Sequence, residues 1–341
     1  MFSQKPNVAI VGSTGAVGQA MVAILEQREF PVGTLYPLAS ERSAGKTVMF
    51  RNKAVLVKLL ESFDFSDVEI AFFSAGASVS AEHAARAVAS GCVVIDNTSH
   101  FRNDPAIPLV VPEVNPSALS SHSGIIANPN CSTIQMVVAL KPIYDAVGIT
   151  RINVCTYQAV SGAGNKAMEE LAGQTAALLN GRPVEAKIMP KQIAFNAIPH
   201  IDSFQENGYT REEMKMVWET RKILEDQTIG VNPTTVRVPV FYGHSEAIHV
   251  ETREKISAQQ ARKLLGAAPG VTVVDERVDG GYPTAVTEAT DADPVFVGRI
   301  REDISCEKGL CLWVVSDNIR KGAALNSIQI AERLLAQEDP A

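Results

Sequence analysis

The chain has 341 residues, a length that favours two domains over a single core. Hydrophobic residues make up 46% and charged residues 20%, and no apolar run reaches the roughly 18 residues that a membrane helix needs. The formal net charge is −7 without a basic stripe, which argues against a nucleic-acid partner. Because the N-terminal residues show no signal-peptide pattern, we expect a cytoplasmic protein.

The first 130 residues alternate short apolar runs with helical patterns. Strand-like runs lie at residues 7–11, 68–73 and 92–96, with another ending near residue 39, and helical patterns lie at 20–25 and 80–90. Short buried strands alternating with helices predict an α/β fold with a doubly wound parallel sheet.

The loop after the first apolar run carries three regularly spaced glycines. Gly12, Gly15 and Gly18 form a G-x-x-G-x-x-G pattern between a predicted strand and a predicted helix. Glycines at such a turn let backbone N–H groups approach a pyrophosphate and let the helix start close to the strand. A tight turn without a ligand is the alternative, but this placement predicts a Rossmann-type dinucleotide site. The expected cofactor contacts in the loop are Gly12, Ser13, Thr14, Gly15, Ala16 and Val17.

The end of the second predicted strand bears on the choice between NAD and NADP. An acidic side chain there usually binds the ribose 2′-hydroxyl of NAD. Here Ser40, Arg42 and Ser43 offer hydroxyl donors and a guanidinium to a 2′-phosphate, whereas Glu41 argues mildly for NAD. We therefore expect NADP.

The second part of the chain has longer strand patterns with period-two alternation. They lie at residues 152–158, 234–240 and 247–252, and helices are predicted at 166–179 and 211–225. This order predicts an α+β domain with a mixed or antiparallel sheet. An amphipathic helix at 322–336 is expected to pack on the first domain. The predicted domains are therefore 1–130 with a C-terminal helix at 318–341, and 131–317.

Five scattered cysteines are too few for a disulfide framework. They form no C-x-x-C pair, and His244 and His249 lack an H-E-x-x-H context, so we expect no metal. Four of them lie in apolar strands or beside a turn and are expected to be inert: Cys92, Cys155, Cys306 and Cys311.

Cys131 has a different context. It follows Pro129 and Asn130 and precedes an apolar helical run, and Asn130 is a good N-cap. The aligned N–H groups of the first helical turn favour a thiolate, so Cys131 is the candidate nucleophile. Among six histidines, His244 is a candidate acid/base partner because it follows a strand pattern on a glycine-containing turn.

A series of motifs in chain order resembles the aspartate-β-semialdehyde dehydrogenase family. The resemblance covers nearly the whole chain, at residues 12–18, 99–102 (Ser-His-Phe-Arg), 130–133 (Asn-Cys-Ser-Thr), 157–162 (Tyr-Gln-Ala-Val-Ser-Gly), 212–215 (Glu-Glu-Met-Lys), 237–240 (Arg-Val-Pro-Val) and 243–245 (Gly-His-Ser). It implies NADPH-dependent reduction of aspartyl phosphate to aspartate semialdehyde, in the synthesis of lysine through diaminopimelate and of threonine, methionine and isoleucine. It also implies a homodimer formed through the second domain.

The resemblance implies a role for each matching residue. Cys131 would form an acyl-thioester, His244 would be the acid/base, Gln158 would orient the substrate and Arg237 would bind its α-carboxylate. The remaining expected substrate and cofactor contacts are Glu212 for the α-ammonium, Arg102, Lys215 and Asn130 for phosphate, and Ser161, Gly162 and Asn318 on the nicotinamide side. The adjacent Glu213 competes with Glu212, but i, i+3 spacing places Glu212 on the face of Lys215.

Two rivals remain from the sequence. N-acetyl-γ-glutamyl-phosphate reductases share the cysteine and histidine chemistry, but an acetylated amine has no charge to pair with Glu212. A non-catalytic paralogue that binds nucleotide is the second rival, and the joint presence of Cys131, Gln158, Arg237 and His244 argues against it. The apolar positions Met168, Leu171 and Leu178 of the helix at 166–179 need a cover, which predicts a dimer contact at this helix.

Overall fold

The computed structural model describes residues 2–338 and divides into two compact units. One unit contains the chain up to Asn130 and the segment from Ala323 onward, and the other runs from Cys131 to Gly322. Residues 318–322, predicted from the sequence to belong to the first domain, therefore lie in the second unit. Residues 339–341 of the expected C-terminal helix lie outside the described residues.

The first unit is built on a parallel sheet with the order β5-β2-β1-β6-β7-β8. Its central strands are apolar and buried along their whole length, which is typical of a sheet covered on both faces. The doubly wound Rossmann-type fold is thus confirmed. The elements are β1 (Val8–Val11), α1 (Ala16–Gln27), β2 (Leu35–Ala39), β3 (Thr47–Phe50), β4 (Lys53–Leu56), β5 (Lys58–Leu59), β6 (Ile70–Phe73), α2 (Ala77–Ala89), β7 (Val93–Asp96), β8 (Ile125–Ala127) and, after the second unit, α7 (Leu325–Glu338).

The C-terminal helix α7 packs within this unit. Leu325 and Ile328 join the same apolar cluster as Ile24 of α1, and Arg28 pairs with Glu332 at 2.7 Å. The antiparallel hairpin of β3 and β4 was not predicted. Its residues are largely apolar, but most of their side chains are exposed.

The second unit contains a mixed sheet with the order β10-β9-β11-β14-β13-β12. Strand β9 runs parallel to β10 and antiparallel to β11, so the predicted mixed sheet is confirmed. Helix α3 packs against this sheet, with α5 beside β10. The elements are α3 (Cys131–Val147), β9 (Ile149–Gln158), α4 (Asn165–Leu179), α5 (Arg211–Ile223), β10 (Gly230–Arg237), β11 (His244–Thr252), α6 (Ala258–Gly266), β12 (Val271–Val273), β13 (Val295–Glu302) and β14 (Gly309–Ser316).

The apolar face of α4 is covered by its own chain. Leu171 is buried, and Met168 and Leu178 pack against the same cluster, which includes Ile193 and Ile198. The segment after the helix therefore covers the apolar positions from which a dimer contact was predicted, so they do not require a partner subunit. Among residues 2–338, no helix combines the length and apolarity needed to cross a membrane.

Candidate active site

Four of the predicted residues meet at one edge of the mixed sheet. Gln158 and Arg237 are the last residues of the parallel strands β9 and β10 and are paired in register. His244 begins β11, and Cys131 begins α3. His244 therefore lies on a strand rather than on a turn, since the glycine turn ends at Gly243. The ends of these strands therefore bring together a thiol, an imidazole, an amide and a guanidinium.

Cys131 and His244 are in direct contact, with Sγ 3.2 Å from Nε2. The backbone N–H of Ala159 donates to Nδ1 of His244 at 3.0 Å. Since Nδ1 accepts this bond, a neutral ring carries its proton on Nε2, facing the sulfur. Burial, with the charge of Arg237, lowers the pKa of His244 to about 3. The histidine is therefore neutral at pH 7 and offers Nε2–H to Cys131.

The surroundings of Cys131 favour a reactive thiol. It lies at the N-terminus of α3, where the helix dipole favours a negative charge. Gly322 lies against it, since a Cβ at residue 322 would come within 2.8 Å of the Cys131 Cβ. By contrast, burial raises the pKa of Cys92 to about 12 and also raises that of Cys155 and Cys311. Gly322 was missed as a site residue because its role depends on a contact nearly 200 positions away in sequence.

Gln158 is buried and joins three elements. Its Nε2 donates to Ser132 Oγ at 2.8 Å and to Glu212 Oε1 at 3.3 Å. Ser132, directly after Cys131, was not singled out from the sequence. These bonds hold the amide beside the candidate nucleophile.

Arg237 is the buried cation of the site. Its Nη1 donates to the carbonyl of Ala159 at 2.7 Å. Burial lowers the pKa of this guanidinium, and the nearby Glu212 and Cys131 oppose that shift. A Cβ at Gly162 would lie 3.0 Å from Nη1, so the glycine leaves room around the cation.

Glu212 and Lys215 form an ion pair at 3.0 Å on one face of α5. Lys215 also contacts Asp202 at 2.8 Å, a partner that was not predicted from the sequence. Burial acts to lower the pKa of Lys215, but Glu212 and Asp202 outweigh it and raise that pKa. Glu213 points elsewhere, because its side chain closes the capping box with Thr210 at the start of the helix. The structure therefore brings Glu212 and not Glu213 to Gln158 and Lys215.

Ser161 and Asn318 also lie together. The Asn318 side chain exchanges hydrogen bonds with Ser161 Oγ at 3.0 and 3.2 Å and accepts from the N–H of Gly243 at 2.9 Å. Gly243 precedes His244, so this amide fixes the start of β11.

In the first unit, the glycine loop has the shape that a pyrophosphate requires. Gly12 has a φ of +90°, and a Cβ at Gly18 would come within 2.2 Å of the Gly12 carbonyl oxygen. Helix α1 begins after Gly15, which has no side chain to cap the first N–H groups. Ser13 is buried with Oγ donating to Leu38, whereas Thr14, Ala16 and Val17 are half-buried. These residues fit a dinucleotide.

The turn after β2 places Ser40 and Arg42 on the surface, and Ser43 is buried with its N–H donating to the Ser40 carbonyl at 2.9 Å. Elsewhere in this unit Arg102 is buried, and its Nη2 donates to the carbonyl of Asn97 at 2.8 Å. Asn130 is likewise buried, directly before Cys131 in the chain.

Comparison with known proteins defines the class first. A model of the semialdehyde dehydrogenase NAD-binding domain matches residues 7–122, and a model of the semialdehyde dehydrogenase dimerisation domain matches residues 140–321. An aspartate-semialdehyde dehydrogenase of Legionella pneumophila is 64% identical over 335 residues, which cover 98% of this chain and 96% of the relative.

Solved structures agree. The aspartate semialdehyde dehydrogenase II of Vibrio cholerae, complexed with ASA, has a TM-score of 0.97 at 60% identity and covers 99% of this chain and 100% of its own. The enzyme of Candida albicans, with NADP, has a TM-score of 0.78 at 26% identity and covers 98% and 99%. The chain belongs to the aspartate-semialdehyde dehydrogenase family, and it is an oxidoreductase of amino-acid biosynthesis with an NAD(P)-binding domain.

Proposed function

We propose that this chain reduces L-aspartyl-4-phosphate to L-aspartate 4-semialdehyde with NADPH, through an acyl-thioester on Cys131. The observation that carries the proposal is the contact of Cys131 Sγ with His244 Nε2 at 3.2 Å, beside the buried Arg237. The product would feed the synthesis of lysine through diaminopimelate and of threonine, methionine and isoleucine. The relative in complex with ASA supports this substrate class.

In the first step the Cys131 thiolate attacks the acyl carbon. The carbon–sulfur bond forms, the carbon–oxygen bond to the phosphate breaks, and phosphate leaves with the electron pair. The Nε2–H of His244 and the charge of Arg237 stabilise the thiolate before attack. A thioester divides a difficult reduction into two accessible steps.

In the second step the thioester is reduced and the carbon–sulfur bond breaks. When bound, NADPH would supply the hydride. The sulfur then takes back its electron pair, and His244 Nε2–H is placed to donate a hydrogen bond to the departing thiolate. The Ala159 N–H donates to Nδ1 and so keeps the ring proton on Nε2.

The polar groups around Cys131 suit an amino acid with a reactive side chain. Arg237 is proposed to bind the α-carboxylate, Glu212 the α-ammonium, and Gln158 to orient the acyl group between them. Lys215 is proposed to bind phosphate, and its raised pKa keeps it cationic. In the first unit, Arg102 and Asn130 keep the phosphate-binding role that the family resemblance gives them.

NADP is proposed as the cofactor of the first unit, held by Gly12, Ser13, Thr14, Gly15, Ala16 and Val17, with Ser40, Arg42 and Ser43 at the 2′-phosphate. The NADP complex of the Candida albicans relative supports this choice. In the second unit, Ser161, Gly162 and Asn318 are proposed to contact the nicotinamide. The first unit would then be the NADP-binding domain and the second the catalytic and dimerisation domain.

A homodimer is proposed through the second unit, in line with the name of the matching domain model. The face of the mixed sheet that carries Tyr157 and Trp313 is only partly buried, so it is a better candidate for the dimer contact than α4. Tyr157 is 37% exposed there, and its ring lies 5.6 Å from that of Trp313. Tyr157→Arg should give a monomer by light scattering, and an unchanged dimer mass would exclude this face.

The alternative substrate is the longer N-acetyl-γ-glutamyl phosphate, and the relatives favour the aspartyl compound. Paired assays in the reverse direction test the choice, with aspartate semialdehyde or N-acetylglutamate semialdehyde, phosphate and NADP. We expect turnover with aspartate semialdehyde. Preference for the acetylated aldehyde would overturn the substrate assignment, and no turnover with either would indicate a non-catalytic nucleotide-binding protein.

A further inference from the structure

A buried carboxyl group lies two residues after His244 and has no role in the mechanism described above. Glu246 is fully buried on β11, and neither of its carboxyl oxygens has a hydrogen-bond partner among residues 2–338. A buried carboxylate without a partner is strongly unfavourable, so the group must be neutral or find a donor. Its burial on the strand that begins with His244 links it to the active site.

Gln135 is the polar side chain that faces Glu246. It lies one helical turn after Cys131 on α3, it is buried, and its Oε1 also lacks a partner within the described residues. Its Nε2 donates to the backbone carbonyl of His244 at 3.5 Å. Gln135 therefore touches the strand at His244, while Cys131 stands four positions before it on α3.

The two groups are chemically complementary. A neutral carboxyl group offers one O–H donor and one carbonyl acceptor, and a primary amide offers a carbonyl acceptor and two N–H donors. Burial raises the pKa of Glu246 well above its ordinary value of 4.5, and Gln135 opposes that shift. No charged side chain within residues 2–338 contributes to it. In register, Thr156 of β9 and Val314 of β14 flank Glu246. The titratable group His244 lies two positions before it on β11, and Cys131 begins the helix that carries Gln135.

We infer that Glu246 and Gln135 form a positioning pair that holds His244 against Cys131. The neutral Glu246 carboxyl donates its O–H to Gln135 Oε1 and accepts one N–H of Gln135, and the other N–H of Gln135 holds the His244 carbonyl. The pair acts on the reaction through the placement of His244 and does not touch substrate. This inference rests on the proposed function only where turnover is measured.

The variants Gln135→Met and Glu246→Gln test the pair, with Thr220→Val as a matched control. Thr220 is a buried residue of α5 whose hydroxyl also lacks a partner among residues 2–338, but it is not connected to His244. One readout is kcat and KM with aspartate semialdehyde. The other is the rate at which iodoacetamide alkylates Cys131 as a function of pH, which needs neither substrate nor cofactor.

We expect Q135M to lower kcat on the order of ten- to a hundredfold with little change in KM, because misplacement of a catalytic group acts mainly on turnover. Its Cys131 alkylation profile should move to higher pH. E246Q restores the same donor and acceptor pattern and should retain most of the wild-type kcat and the wild-type alkylation profile. T220V should leave stability unchanged or raise it, because it removes an unpaired buried hydroxyl, and it should not move the profile.

Full kcat and an unshifted alkylation profile in Q135M would overturn the pair. A large fall in kcat together with a shifted alkylation profile in E246Q would also overturn it. If Q135M does not fold, the pH dependence of the stability of E246Q tests whether Glu246 is neutral in the folded protein. Because the folded protein keeps this proton where the unfolded chain releases it, the stability that Glu246 contributes is lost as the pH rises above about 4.5. E246Q should therefore lose less stability than the wild type over the same rise in pH. An unchanged slope would contradict a neutral Glu246. A wild-type protein without dehydrogenase activity would refute the proposed function but leave the alkylation series interpretable.

Discussion

The backbone N–H of Ala159 donates to Nδ1 of His244 over 3.0 Å, and this bond sets which ring nitrogen faces Cys131. A protonated ring would turn a second N–H toward the Ala159 amide, and it would add a charge close to Arg237. Both effects oppose the imidazolium form. His244 therefore serves Cys131 as a neutral hydrogen-bond donor.

This arrangement predicts a pH dependence of stability. The unfolded chain protonates His244 near pH 6.5, whereas the folded protein does so only at about pH 3. The histidine's contribution is therefore present above pH 6.5 and is lost as the pH falls, by about 1.4 kcal/mol per pH unit for one proton. His244→Asn, which keeps an acceptor for Ala159, should show a shallower decline of the free energy of unfolding in urea between pH 7 and pH 5. Parallel declines in the two proteins would refute the neutral histidine.

Gly322 is predicted to be needed for the position of Cys131. In Gly322→Ala the added Cβ would lie 2.8 Å from the Cys131 Cβ, so the start of α3 must shift. We expect kcat to fall about tenfold or more, with slower alkylation of Cys131 by iodoacetamide.

Gly173→Ala is the matched control for that variant. Gly173 lies inside α4, and a Cβ there would meet no atom within 4 Å. Alanine in a helix interior should stabilise the protein by about 0.5–1 kcal/mol and leave kcat unchanged. Equal activity of the two variants would exclude crowding at Cys131.

The neighbours Glu212 and Glu213 should separate binding from stability. Glu212→Gln should raise the KM for aspartate semialdehyde, on the order of tenfold, because it removes the charge proposed to pair with the α-ammonium. Glu213→Gln should cost about 1 kcal/mol of stability with KM unchanged, because the two Glu213 oxygens accept from the N–H groups of Thr210 and Thr235 and glutamine keeps only one acceptor. Steady-state kinetics and thermal unfolding of both variants check this, and the opposite pattern would reverse the assignment.

Cofactor choice is predicted to depend on Arg42. It is exposed at the turn after β2, where its guanidinium is free to pair with a 2′-phosphate. Arg42→Ala should raise the KM for NADPH far more than the KM for NADH, because only NADPH carries that phosphate. Equal increases for the two cofactors would remove Arg42 from the phosphate site.

Local patterns in the sequence predicted part of this structure well. The apolar runs and the Gly12, Gly15 and Gly18 spacing predicted a parallel sheet with a cofactor loop, because each signal lies within one strand–turn–helix unit. The start of α3 at Cys131 was likewise readable from its flanking residues. The i, i+3 spacing also predicted which glutamate would meet Lys215.

Contacts between segments far apart in the chain could not be predicted from the sequence. Gln158 meets Glu212 across 54 positions and Gly322 lies against Cys131, and neither contact leaves a local pattern. The packing of residues 189–198 on α4 was not predicted, because that segment has no regular helix or strand pattern. The burial of Glu246 was also not predictable, since glutamates are usually exposed and the neighbouring sequence gives no sign of burial.

The acyl-thioester on Cys131 is tested most directly by intact-protein mass spectrometry. The protein is mixed with aspartate semialdehyde and NADP without phosphate, so that no acceptor releases the acyl group, and is quenched in acid. We expect a mass increase of one aspartyl group, located on the peptide that contains Cys131 and absent from Cys131→Ser. Rapid turnover with the aldehyde, phosphate and NADP in Cys131→Ser, or an acyl group on any other residue of the wild-type protein, would contradict the mechanism.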